Sequence, residues 1–207
     1  MEPVSFLPIT FDRASRTAPA AAEDYRARAS AAMERYAQGE DRAFGELYAL
    51  LSPRLFRLCI YLIGRGNAEE LVQEVFLKMH RARATFVPGG SVVAWSFAIA
   101  RTTCVDRLRR DRRRPESFIE QEQLEAQADS PASSPESASA GRALESLLEQ
   151  RLSGLSESLR SAYVLVKLEG LSCAEAGEVL GVSASAIKQR VHRASDDLKL
   201  GLASAGW

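Results

Sequence analysis

The sequence predicts an all-α protein: two helical domains joined by a flexible acidic linker. Three observations carry this. Apolar residues recur at helical spacing from about Glu23 onward, and no segment alternates apolar and polar residues as a half-buried strand does. Residues that start and stop helices punctuate the pattern. Between 115 and 140 the chain reads PESFIEQEQLEAQADSPASSPESASA, with six carboxylates and no Lys or Arg, a charge of −6. Ser, Ala and Pro fill most of its second half, so it reads as a tether rather than a packed element.

Residues 1 to about 22 mix Pro, Thr, Ser and Ala without clear periodicity, and residues 1–29 are assigned to a loose N-terminal extension. The first domain is placed at 30–114. Its opening helix, DRAFGELYALL, carries Phe44, Leu47 and Leu51 on one face. Pro53 is expected to reset that helix, after which Leu55, Leu58 and Leu62 continue the stripe to Gly64. Asn67, with Glu70 three residues on, reads as the cap of NAEELVQEVFLKMHRA, whose buried face is Leu71, Val72, Val75, Phe76 and Met79. ATFVPGG is a loop with turn residues. Ser91 caps a last helix, in which Val92, Trp95, Ile99, Val105 and Leu108 are expected to face the core. That helix ends on Arg107 to Arg114, six arginines against one aspartate. Six cations over eight residues favour nucleic acid or an acidic partner over a merely solubilising end.

The second domain is placed at 141–207, with three or four short helices ending in GLSCAEAGEVLGVSASAIKQRVHRA. Ser172 and Glu175 form a capping box. Gly181 stands where a helix stops. Ser183 caps a further helix that runs to about Leu198. Two turns of helix, a three-residue turn with Gly and a longer helix make a helix-turn-helix. Ile187, Val191, Ala194 and Leu198 follow i, i+4, i+7, i+11 and face the core. The opposite face shows Ser185, Lys188, Gln189, His192 and Arg193, side chains that suit phosphate oxygens and base edges in a major groove.

Of 207 residues, 46% are hydrophobic and 26% charged, the proportions of a soluble protein. The formal net charge of +0 argues against a free-standing, high-affinity DNA binder. Cys59, Cys104 and Cys173 lie far apart without metal-ligand spacing and read as core residues in a reducing compartment. His80 and His192 form no ligand cluster. No metal site, cofactor site, nucleophile arrangement or phosphate loop is found, so an enzyme is not expected. No apolar run reaches membrane-spanning length and the N-terminus lacks a signal-peptide core, so a cytoplasmic protein is expected.

Four stretches, over roughly residues 30–200, resemble the extracytoplasmic-function sigma factors of bacterial RNA polymerase, in the sigma-70 family. AFGELYALLSPRLFRLCIYLIG, NAEELVQEVFLKMHRA and WSFAIARTTCVDRLRRDRRR resemble sigma region 2. LSESLRSAYVLVKLEGLSCAEAGEVLGVSASAIKQRVHRASDDLK resembles the region 4 helix-turn-helix. The resemblance implies an alternative sigma factor that binds polymerase core through its clamp helices and flap, directs it to promoters and promotes DNA melting. It implies −35 contacts at Ser183, Ser185, Lys188, Gln189, Arg190, His192 and Arg193. For the −10 element it implies Thr85, Ser91, Arg101, Arg107, Arg109 and Arg110, with the loop Thr85 to Ser91 capturing a flipped base. For core docking it implies Glu69, Glu70, Leu71, Gln73 and Glu74. It also implies an anti-sigma factor as partner. Gly177 departs from the family pattern, which has Ala there, and reads as a softening of its helix. The competing readings are a stand-alone helix-turn-helix regulator, which needs a sensor or dimerisation domain where the sequence shows a basic helical bundle, and a helical adaptor, which leaves two basic surfaces unexplained.

Overall fold

The computed structural model of the protein describes residues 19–113 and 146–203. Among them every regular element is helical. The acidic tether at 115–140, like residues 1–18, lies outside the described residues. The helices are α1 (Pro19–Ala37), α2 (Ala43–Ile63), α3 (Ala68–Ala82), α4 (Val92–Arg113), α5 (146–153), α6 (Glu157–Tyr163), α7 (Cys173–Leu180) and α8 (Ala184–Ala203). A 3₁₀ turn, Arg83–Thr85, follows α3, and α6 runs on into a π turn, Val164–Leu168.

In the first bundle α2 packs on α1, α3 and α4. Leu47, Leu51, Leu55 and Leu58 of α2 are wholly buried, as are Leu71 and Val75 of α3 and Phe97 and Ala100 of α4. Each large side chain so buried contributes about 1.5–3 kcal/mol. Helix α1 starts at Pro19, and its Ala29, Ala32 and Met33 are also wholly buried. The stretch 1–29 read as an extension therefore contains most of the first bundle helix. Its apolar face is made largely of Ala, a weak hydrophobic signal in sequence.

Three local expectations give way to packing. Helix α2 continues through Pro53 without a break. Leu51 and Leu55, on either side, are both wholly buried. Their burial matches the roughly 3 kcal/mol that an interior proline costs. Asn67 does not cap α3 with its side chain; its Oδ1 accepts a hydrogen bond from Arg107 Nη2 at 2.7 Å, tying α3 to α4. On α4 Val92 is wholly buried and Trp95 and Ile99 pack half-buried against the core, as expected, but the fully buried stripe runs Val93, Phe97, Ala100 and Cys104, and Val105 and Leu108 are only half-buried. Helix α4 lies between the bundle and the second domain, so no single stripe describes it.

The helix-turn-helix forms as its sequence dictates. Ser172 Oγ accepts from the Glu175 N–H at 3.1 Å, and the Ser172 N–H donates to Glu175 Oε2 at 2.8 Å. Gly181 closes α7 at φ +65°. The Ala186 N–H donates to Ser183 Oγ at 3.3 Å, capping α8. Ile187, Val191, Ala194 and Leu198 are all buried.

The two domains pack against each other, α7 on α4 and α6 on α2. Glu169, 0% exposed, anchors the junction. Its carboxylate accepts from Arg54 Nε at 2.9 Å and from Arg57 Nε and Nη2 at 2.6 and 3.2 Å. Arg54 also donates to the Glu169 carbonyl and lies over the rings of Tyr25 and Phe97. Burial works to lower the Arg57 guanidinium, but its hydrogen bonds and charge pairing with Glu169 outweigh that and raise it above its ordinary value. Arg160 donates to the Leu62 carbonyl at 2.9 Å, and Arg26 to the Gly170 carbonyl at 2.8 Å.

Candidate nucleic-acid interface

Helix α8 places Ser185, Lys188, Gln189, His192 and Arg193 on one exposed face, opposite the buried Ile187 and Val191. Ser183 is exposed at the N-terminal end of that face, where unpaired backbone donors and the helix dipole favour an anion. His192 Nδ1 lies 2.8 Å from Asp196 Oδ2, one turn further on. Arg190 stands apart from this face. It is half-buried and lines a cleft with Arg101, Glu157 and Val182.

The first-domain residues divide into three groups. Arg109 and Arg110 are exposed near the end of α4, within reach of Asp106 and Glu74 respectively. Arg107 is taken up structurally: its guanidinium is shared among Asn67, Glu70 and Asp111, and its side chain is 16% exposed. Ser91 and Arg101 look toward the second domain. Ser91 Oγ caps α4 by accepting the Ala94 N–H at 3.2 Å and lies 3.5 Å from Glu175 Oε1. Arg101 Nη2 is 3.4 Å from Glu157 Oε1. Thr85 is exposed, and its hydroxyl donates to the Ala82 carbonyl at 2.7 Å. Of the six −10 candidates, Thr85, Arg109 and Arg110 stand clear of the domain junction, and Arg110 also reaches Glu74 on α3 at 3.6 Å.

On α3, Glu69, Glu70 and Gln73 are exposed together. Glu74 is half-buried and pairs with Lys78 at 2.9 Å. Leu71 is 0% exposed and belongs to the core, so its side chain does not reach a docking surface. The exposed apolar residue of α3 is Leu77, 48% exposed and one helical turn beyond Gln73. The sequence carried a signal for it: Leu77 falls outside the stripe of Leu71, Val72, Val75, Phe76 and Met79 and has no core partner to explain it.

The family model for sigma-70 region 2 matches residues 47–114, and the model for sigma-70 region 4 matches residues 145–198. Over 176 residues the chain is 37% identical to the ECF RNA polymerase sigma factor SigF of Caulobacter vibrioides, covering 83% of this chain and 92% of that protein.

The chain belongs to the extracytoplasmic-function sigma factors of the sigma-70 family.

The RNA polymerase sigma factor CarQ of Myxococcus xanthus is 33% identical over 81% of this chain and 93% of its own length. The fold is that of solved sigma factors. The structure of CnrH with the cytosolic domain of CnrY aligns with a TM-score of 0.65 at 24% identity, over 86% of this chain and 98% of CnrH. The sigma factor RpoE of Bartonella quintana, solved with the anti-sigma factor NepR, aligns with a TM-score of 0.59 at 26% identity, over 77% and 96%. This sigma factor directs RNA polymerase to promoters; the stand-alone regulator is not favoured. No described helix is long and apolar enough to cross a membrane. Helix α1 and the start of α2 precede the matched region 2 segment, yet they complete the sigma factor's first core.

Proposed function

We propose that α8 reads the −35 element through Ser183, Ser185, Lys188, Gln189, His192 and Arg193, with Arg190 as a flank. The observation that carries this is the clean division of α8: one buried stripe, and one exposed face of donors and cations on a capped second helix. Arg109 and Arg110, with Thr85 and the loop to Ser91, engage the −10 strand. Ser91 and Arg101 join them when the second domain moves away. Arg107 supports them by fixing α4 on α3. Region 2 is the bundle through Arg113, and region 4 is the unit from residue 146.

Glu69, Glu70, Gln73 and Leu77 form the face of α3 that docks on the polymerase clamp helices, and the second domain meets the flap. An acidic chain between the domains, at 115–140, suits a positively charged polymerase channel. An anti-sigma factor holds the protein inactive, as the named complexes of its structural relatives suggest. The protein works in the cytoplasm, beside chromosome and polymerase, and catalyses no reaction of its own.

Run-off transcription with bacterial core polymerase and genomic promoter fragments tests the proposal. Discrete transcripts that depend on this protein are expected. Lys188→Ala and Arg193→Ala should weaken −35-dependent promoters while core binding persists. Loss of core binding in either variant would overturn the assignment of that face.

A further inference from the structure

A cleft of about 430 Å³ lies between the two domains. Arg101 on α4 lines it from the first domain; Ser161 on α6 and Arg190 on α8 line it from the second. Its volume falls within the roughly 300–1,000 Å³ of small-molecule sites.

Three donors in the cleft lack partners. Ser161 is 2% exposed, and its hydroxyl makes no hydrogen bond with a described residue. Arg101 Nε is buried and equally unbonded, the guanidinium being engaged only through Nη2, 3.4 Å from Glu157 Oε1. Arg190 is half-buried and pairs with no carboxylate among the described residues. A buried hydroxyl or N–H without an acceptor has given up its water for nothing in exchange. Charge points the same way. Packing the domains together brings two guanidinium groups to one gap, and Glu157 is the single carboxylate that lines it. An oxyanion between the two arginines would satisfy all three donors and reverse the sign of that repulsion. Guanidinium forks match the oxygens of a phosphate in particular.

The remaining walls suit more than a bare ion. Leu180 and Val182, half-buried against the core, offer apolar surface to a carbon skeleton. The Glu157 side chain, 48% exposed, can accept from a hydroxyl or amine carried on it.

We infer that this cleft binds a small phosphate monoester, which holds the two domains closed. The site spans both domains, so it exists only while they are packed. At roughly 100 times its Kd, a ligand bound only to the closed form makes opening about a hundredfold rarer. It also keeps Arg101 and Arg190 away from the promoter contacts proposed for them above. Binding itself does not depend on those contacts, so its test needs neither polymerase nor DNA.

The full chain is titrated calorimetrically with adenosine 5′-monophosphate, inorganic phosphate and adenosine. The monophosphate is expected to bind, inorganic phosphate about tenfold more weakly for want of apolar contact, and adenosine not at all. Ser161→Ala should weaken the monophosphate about tenfold, the effect of losing one hydrogen bond to a charged group, while thermal unfolding of the free protein stays unchanged. Arg190→Ala should weaken it at least as much. Glu169→Ala should weaken it too, because junction and ligand favour the same closed form. No binding of the monophosphate by wild type would overturn the inference, as would equal affinity in Ser161→Ala, which would seat the anion elsewhere. Adenosine binding as tightly as its monophosphate would overturn the anion site, and undiminished binding by Glu169→Ala would overturn the closing role.

Discussion

Glu169 and Arg57 meet across the domain junction, with Arg57 Nε 2.6 Å from a carboxylate that is wholly buried. Arg54 binds the other carboxylate oxygen, so one anion is shared between two cations on α2. Glu169→Ala leaves both guanidinium groups, each just over four-fifths buried, without this counter-charge. Breaking a buried pair from one side costs about 3–5 kcal/mol, and the residual exposure of the arginines puts this one near the low end. Chemical denaturation of the full chain should show that loss, and small-angle scattering should show a larger radius. An unchanged midpoint and radius would mean that the junction contributes nothing to the free protein.

Leu71 and Leu77 separate stability from docking on one helix. Leu71→Ala removes a wholly buried side chain and should cost about 2–5 kcal/mol of folding stability. Leu77→Ala alters an exposed position and should stay within about 0.5 kcal/mol of wild type. Affinity for polymerase core should respond in the opposite way, falling with Leu77→Ala. Core binding that ignores Leu77 would remove it from the docking face.

Gly177 sets helix propensity against space. Replacing glycine by alanine in a helix interior gains about 1 kcal/mol from propensity alone. Here a Cβ would sit 2.7 Å from the Val182 backbone oxygen and 3.5 Å from the Ala184 nitrogen. The close approach belongs to the turn, where the Val182 N–H also donates to the Gly177 carbonyl at 3.0 Å. The clash is with backbone, so Gly177→Ala should lower the thermal midpoint rather than raise it. The glycine therefore makes room on α7 for the turn packed against it, and is not merely the softening that propensity suggests.

Glu175 gives the fold an acid-side dependence. Partial burial works to raise its carboxyl, but hydrogen bonds with Ser172 and the Arg26 charge outweigh that and hold it below its ordinary value of 4.5. A depressed value means that the folded state favours the ionised form. The stabilisation is complete above about pH 4.5 and fades as pH falls through the folded value. Below pH 4.5 wild-type stability should therefore drop more steeply than that of Glu175→Gln, measured by urea unfolding across the pH range. Parallel curves would show that the capping box is insensitive to its charge.

The sequence makes the helices, the caps of α7 and α8 and the division of α8 legible because these depend on neighbours within one or two turns. Ser172 with Glu175, Gly181 and Ser183 are local devices, and each appears in the structure as read. What could not be read depends on distant partners. Asn67 looks like a cap until Arg107, 40 residues away, takes its oxygen. Pro53 looks like a break until the burial of Leu51 and Leu55 outweighs it. Arg107 looks like a phosphate ligand until three partners from two helices claim it. The domain junction hangs on Glu169, an isolated acid in sequence whose partners lie 112 and 115 residues upstream.

The junction also sets a limit of reach. The −10 and −35 elements lie about 25 base pairs apart, roughly 85 Å along duplex DNA. A compact body of this many residues has a radius of gyration of about 15 Å, and α8, at 20 residues, is about 30 Å long. Folded upon itself, the protein is too short to touch both elements at once. The 32 residues between Arg113 and residue 146 can extend at most about 110 Å, enough for the distance but only with the Glu169 contacts given up. Every 1.4 kcal/mol by which the closed form is favoured lowers the apparent two-element affinity about tenfold. The strength of the junction, its ionic contacts and helix packing together, therefore determines how much polymerase and promoter together must supply before the molecule can measure the spacing it is built to read.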